Sequence, residues 1–216
     1  MNDVIDCGAN GFRFDTAKHI GLPDDPKDPK SVQNDFWLIF TGKKAINGVM
    51  LHDAENLFMY GEVLQDGYSR EDEYGKLMAV VASKYGAMLR AGAKNQKYLA
   101  AGLKDFKNDA GPERLVTWVE SHDTYANKGE SAGLLNFDLR SGWAIICSRK
   151  YGTPLFFSRP KGAEGVQFPG ESKIGDAGND EFKHPEVKAV NLFRKEMIGE
   201  DEELFNGADS SVLIVK

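Results

Sequence analysis

The sequence predicts an α/β fold built on a parallel sheet, and three observations carry that reading. Short β-leaning runs alternate with helical stretches four or five times along the chain, the order that βα units produce. Three of those runs, FRFDTAKH, FMYGEV and TWVESHD, lead in with apolar residues and end on charged or polar ones. In α/β barrels and open parallel sheets, such C-terminal strand ends build the active site. The third observation is composition: 216 residues, 41% hydrophobic and 28% charged, suffice for a buried core.

Each element has its own local argument. DVIDCGANGFRFD (3–15) reads as the end of a helix followed by a strand, with Gly8 and Gly11 marking the turn. GLPDDPKDPKSVQND (21–35) is rich in Pro and Asp and reads as a loop. Helix is expected from Phe36 to about Gly42, and strand from about Leu57 to Gly61. The stretch from Ser69 reads as one helix: carboxylates crowd its start, Leu77, Val80, Val81 and Tyr85 form a stripe, and Gly86 ends it. AMLRA (87–91) is then a short strand. LAAGLKDF is a short helix and Leu115–Val119 a strand after the Gly-Pro breaker. FDLRSGWAIICSRKYG is helical, and TPLFFSRP is a strand. HPEVKAVNLFRKEMIG is a helix with Pro185 in its first turn. SSVLIVK is a final strand with no partner or turn after it.

Charge and composition exclude several classes of function. With 27 Lys plus Arg against 33 Asp plus Glu, the net charge of −6 disfavours a nucleic-acid partner, whose phosphates need surplus cations. No apolar run approaches the about 20 residues that span a bilayer, so no membrane partner is expected. The start MNDVIDCGANG lacks the basic and apolar segments of a signal peptide. Cys7 and Cys147, far apart, are expected to be free thiols.

The strand ends supply Asp15, Glu62 and Asp123, with Arg13, Lys18, His19 and His122 beside them. Carboxylates converging on one rim suit glycoside hydrolysis, in which one carboxylate attacks and a second carboxyl group donates the proton. Arg13, two residues before Asp15, would keep the nucleophile ionised. Glu62 follows an apolar run, where desolvation favours the protonated acid. Ordinary strand-end charges would also account for Lys18, and a satisfied structural histidine for His19. Trp118 and Tyr125 read as packing, Trp143 as core, and His52 and His184 as surface residues.

GFRFDTAKH, GEVLQD and WVESHDTYAN resemble, in order, the second, third and fourth short shared regions of the α-amylase family, glycoside hydrolase family thirteen. KHIGLPDD, GTPLFFSRP and the FPG…IGD stretch are similar to the secreted saccharifying α-amylases of bacilli and related Gram-positive bacteria. The resemblance covers nearly the whole chain. It implies retaining endo-hydrolysis of α-1,4-glucosidic bonds in starch and maltooligosaccharides. Asp15 would be the nucleophile, Glu62 the general acid/base and Asp123 the stabiliser of the transition state. Arg13, Lys18, His19, Leu64, Asp66, His122 and Asn127 would bind substrate, and the His19 carbonyl would be a calcium ligand. Ser121 stands where chloride-activated members carry Asn, so no chloride site is expected.

The fold implied is a (β/α)8 barrel of TIM type, of which residues 1–203 would supply about strands four to eight. Residues 204–216 would open a C-terminal β-sandwich. The first shared region and the inserted domain would be absent, leaving the calcium cage incomplete and not retained, and the chain alone inactive. The resemblance further implies an extracellular, monomeric parent. A transglycosylating or debranching member of the family, or a non-catalytic fragment, is the alternative.

Overall fold

The computed structural model describes residues 1–25, 34–127, 129–167, 170–173 and 175–216. Residues 26–33 of the expected loop, and Phe168, Pro169 and Ile174 of the FPG…IGD stretch, lie outside the described residues. The elements run α1 (Asn2–Asp6), β1 (Gly11–Phe14), α2 (Phe36–Phe40), β2 (Phe58–Gly61), α3 (Glu71–Gly75), β3 (Ala79–Val81), α4 (Ser83–Lys94), α5 (Ala100–Leu103), β4 (Leu115–Trp118), α6 (Asn136–Ser148), β5 (Thr153–Leu155), α7 (Pro185–Glu196), β6 (Leu204–Asn206) and β7 (Leu213–Val215). The sheet order β1-β2-β3-β4-β5 follows the chain. Parallel register is set by Phe14↔Gly61, Gly61↔Val80 and Val81↔Val116. Sequential parallel neighbours joined by helices are the pattern of an α/β-barrel segment.

The chain divides into two compact units: Met1–Val81 with Asn108–Val116, and Ala82–Lys107 with Thr117–Lys216. The first unit packs on aromatic edges. Trp37 of α2 is fully buried and meets Phe14 of β1 and Tyr74 of α3 edge-on, at 5.2 and 5.9 Å between ring centroids. Its indole N–H donates to the Gly21 carbonyl at 3.1 Å, so the buried ring leaves no unpaired donor. Gly61, the last residue of β2, lies where a Cβ would sit 3.0 Å from Ala17 and 3.1 Å from the Met78 sulfur.

The second unit is organised by α6 and by two arginines at its C-terminal end. Arg194 of α7 donates to the carbonyls of Arg149 (2.9 Å) and Gly152 (2.6 Å). Arg149 is buried, lies over the Phe106 ring, and donates to Tyr85 Oη, the Leu103 carbonyl and Glu202. Trp143 packs edge-on against Phe156 and donates to Asn191 Oδ1 at 3.0 Å. Trp118, Tyr125 and Trp143 are all buried, as their packing reading expects.

Two sequence expectations are overturned. The stretch from Ser69 is not one helix: α3 stops at Gly75, β3 occupies Ala79–Val81, and α4 runs through Gly86 and the expected strand 87–91. Val80 and Val81 are β-branched and fully covered, which suits a central parallel strand better than a helical stripe. The second correction concerns SSVLIVK, which does have a partner. β7 pairs antiparallel with β6 through Leu204↔Val215 and Asn206↔Leu213. The hairpin is tied within its unit by Asn206, whose side chain accepts from Ala100 N–H and donates to the Tyr98 carbonyl.

Candidate active site

Asp15 and Glu62 lie one residue beyond β1 and β2, and the ladder between these strands continues past both. Glu62 N–H donates to the Phe14 carbonyl at 2.8 Å, and Ala17 N–H donates to the Glu62 carbonyl at 3.1 Å. Thr16, at φ 44°, turns the chain between them. This backbone holds the two carboxylates around one guanidinium. Arg13 Nη1 donates to Asp15 Oδ1 at 2.5 Å, and Nη2 lies 3.3 Å from Glu62 Oε2. Thr16 N–H donates to the same Glu62 oxygen at 3.0 Å. The two acids differ in environment: the Asp15 side chain is 65% exposed and that of Glu62 only 13%. The Tyr60 hydroxyl of β2 is pushed up by burial, with Arg13 pulling it down and Glu62 pushing it up.

Lys18 ties the segment after β1 to the segment after β2. Its ammonium donates to the Leu64 carbonyl at 3.2 Å and to Asp66 Oδ2 at 2.5 Å. Lys18 also holds the exposed Asp66 carboxyl below the usual range, aided by the Tyr68 N–H. The Leu64 side chain is exposed. His19 ends a single 3₁₀ turn, Ala17–His19, and is also exposed. Among the described residues no three His, Cys, Asp or Glu side chains gather to hold a metal ion. The His19 carbonyl would be one of the six to eight oxygens that calcium takes.

Asp123 belongs to the second unit. It opens one π-helical turn, Asp123–Asn127, which follows the buried end of β4. Asn127 Nδ2 donates to Asp123 Oδ1 at 2.8 Å, and His122 Nε2 lies 3.6 Å from Asp123 Oδ2. The turn is itself held from below. Glu120 is buried and receives Arg159 Nε at 2.9 Å, and the Arg159 guanidinium lies 4.6 Å from the Tyr125 ring centre. Sequence reasoning passed over Glu120 and Arg159. The signal was present: a charged residue directly after the largely apolar run Leu115–Val119 must find a counter-ion.

His52 and His184 have local roles. His52 pairs with Asp6, and His184 Nδ1 accepts from Glu186 N–H at the start of α7.

No family model matches the chain. It is 39% identical over its whole length to an α-amylase of Butyrivibrio fibrisolvens, covering 24% of that protein. It is 34% identical over its whole length to an α-amylase of Clostridium acetobutylicum, covering 26%. The chain therefore spans about a quarter of these curated relatives. Among solved structures it is similar to the cyclic α-maltosyl-(1→6)-maltose hydrolase of Arthrobacter globiformis in complex with that sugar. There the TM-score is 0.54 and the identity 16%, over 97% of this chain and 45% of the other. A debranching enzyme from Nostoc punctiforme gives a TM-score of 0.52 at 15% identity, over 94% of this chain and 44% of the other.

A sequential sheet of βα units with carboxylates just beyond its strand ends defines a segment of the α/β-barrel class. Within that class, the chain is similar along its whole length to segments of curated α-amylases.

Proposed function

We propose that the chain carries the catalytic groups of a retaining α-glucan hydrolase that cleaves α-1,4-glucosidic bonds of starch and maltooligosaccharides. The observation that carries this reading is the Arg13 guanidinium shared between Asp15 and Glu62 at adjacent strand ends. An exposed carboxylate and a largely covered one, on neighbouring strands, is the asymmetry that nucleophile and acid/base require.

Asp15 attacks the anomeric carbon and forms a glycosyl ester as the glycosidic bond breaks. Glu62 gives its proton to the departing oxygen, then takes a proton from the water that opens the ester. With Oε2 engaged by Thr16 and Arg13, Oε1 is the oxygen that would carry this proton. Asp123 stabilises the oxocarbenium-like transition state, and His122 and Asn127 support it at the sugar hydroxyls. Lys18, His19, Leu64 and Asp66 line the side of the leaving group. No step is assigned to calcium or chloride.

The test is turnover of soluble starch together with trapping by a fluorinated glycosyl fluoride, read by mass spectrometry. Against the inactivity that the missing first region implies, the wild-type chain is expected to gain one sugar on the peptide that contains Asp15. Asp15→Asn is expected to lose both turnover and label, and Glu62→Gln to slow turnover about 10²–10⁴-fold. A wild-type chain that neither turns over starch nor takes label overturns the reading for this chain. Cleavage of pullulan in preference to maltoheptaose would move it to a debranching specificity.

A further inference from the structure

We propose that Glu120 and Arg159 form a buried positioning pair that fixes the turn bearing His122 and Asp123. The role given to Asp123 rests on the reading above; the positioning itself rests on the geometry of the second unit.

The pair is bidentate. Arg159 Nε lies 2.9 Å from Glu120 Oε1, and Nη2 lies 3.0 Å from Oε2. The guanidinium also spends donors on two backbone carbonyls, Leu134 (3.0 Å, from Nη1) and Ser131 (2.9 Å, from Nη2). Planar, forked donors of this kind fix direction as well as charge.

From the carboxylate a polar chain leads into the turn. Ser131 Oγ donates to Glu120 Oε2 at 2.8 Å and lies 3.2 Å from Thr124 Oγ1. Thr124 Oγ1 accepts from Ser121 N–H at 2.9 Å. Ser131 N–H donates to the Thr124 carbonyl at 2.8 Å, and Gly165 N–H to the Tyr125 carbonyl at 2.9 Å. On the other side, the Tyr125 ring rests against Arg159. The residues on both sides of His122 and Asp123 are thus tied to one ion pair. A buried pair of this sort adds little stability over an apolar substitute. What it supplies is a fixed geometry, in a π-helical turn of a kind frequent at functional sites.

The experiment compares the full chain with Glu120→Gln and Arg159→Lys. Hydrogen exchange is read by mass spectrometry over 119–135 and over α4, α6 and α7. Exchange within 122–127 is expected to rise about tenfold or more in both variants, with the three helices unchanged. Starch kcat is expected to fall about 10²-fold, with KM shifted far less. Arg159→Lys, which keeps the charge and loses the fork, should fall between wild type and Arg159→Ala. An exchange rate in 122–127 that does not move overturns the proposal, whatever turnover does. So does a rise spread evenly over the helices, which would mark the pair as merely structural. Asp123→Asn separates the two readings. If it leaves turnover intact while the exchange result holds, the role of Asp123 fails and the positioning pair stands. If the wild-type chain shows no turnover, the exchange measurement alone decides.

Discussion

Cys147 and Cys7 have the same chemistry and opposite surroundings. Cys147 on α6 is 1% exposed, and burial pushes its thiol up to about 12. Its sulfur lies 3.9 Å from Asn191 Oδ1, the same oxygen that receives the Trp143 indole N–H. Cys7, just after α1, is exposed. Thiolate is the reactive form, so Cys7 is the accessible nucleophile and Cys147 is protected both by burial and by protonation. Titration with a chromogenic disulfide at pH 8 should release one equivalent from the native chain and a second only on unfolding. Two equivalents at the native rate would mean that α6 opens readily. At this scale the sequence was legible where chemistry is local. Arg13 two residues before Asp15 was readable as its partner, and two distant cysteines as free thiols. Glu120 was readable only as a charge in need of a counter-ion; that its partner is Arg159, 39 residues away, was not, because the two pair only through the fold.

At the scale of elements, the difference between β3–α4 and its sequence reading has a packing cause. Gly86 looked like a helix terminator, yet it lies inside α4 because Trp118 leaves room for nothing larger. A Cβ there would sit 2.9 Å from the Trp118 carbonyl and 3.3 Å from its ring. Periodicity could not reveal this, since the neighbour is a strand about 30 residues on. Strand boundaries fared better where the apolar run was short and bounded, as at β1, β2 and β4. The same reasoning predicts opposite signs for two Gly→Ala changes on helices. Gly86→Ala should destabilise by about 1–3 kcal/mol, because backbone must shift to admit the methyl group. Gly102→Ala on α5 meets nothing closer than the Met88 methyl at 3.9 Å. It should stabilise by up to about 1 kcal/mol through helix propensity. Urea midpoints measured at neutral pH check both, and equal signs would refute the packing account.

Over the whole molecule, the groups displaced most clearly by burial are acids that are neutral when protonated. The first unit holds Tyr74, pushed up to about 12 by burial and by the nearby Asp25. The second holds Cys147 and Tyr98, the latter pushed up to about 12 by burial and by Asp138. The unfolded chain would release these protons near the ordinary values, 9.0 for the thiol and 10.0 for the phenols. The folded chain holds them to about 12, so between those limits the native state binds more protons than the unfolded one. Stability from these groups is therefore complete below pH 9 and is lost as pH rises toward 12. Melting followed by circular dichroism from pH 8 to 11.5 should show a flat region and then a steady fall. Tyr98 offers a sharp check, because its buried hydroxyl has no hydrogen-bond partner among the described residues. Tyr98→Phe removes an unpaired polar atom and leaves its backbone bond to Asn206 in place. The variant should match or exceed wild-type stability at pH 7 and fall less steeply above pH 10. An unchanged alkaline slope would show that this phenol titrates as it does in water.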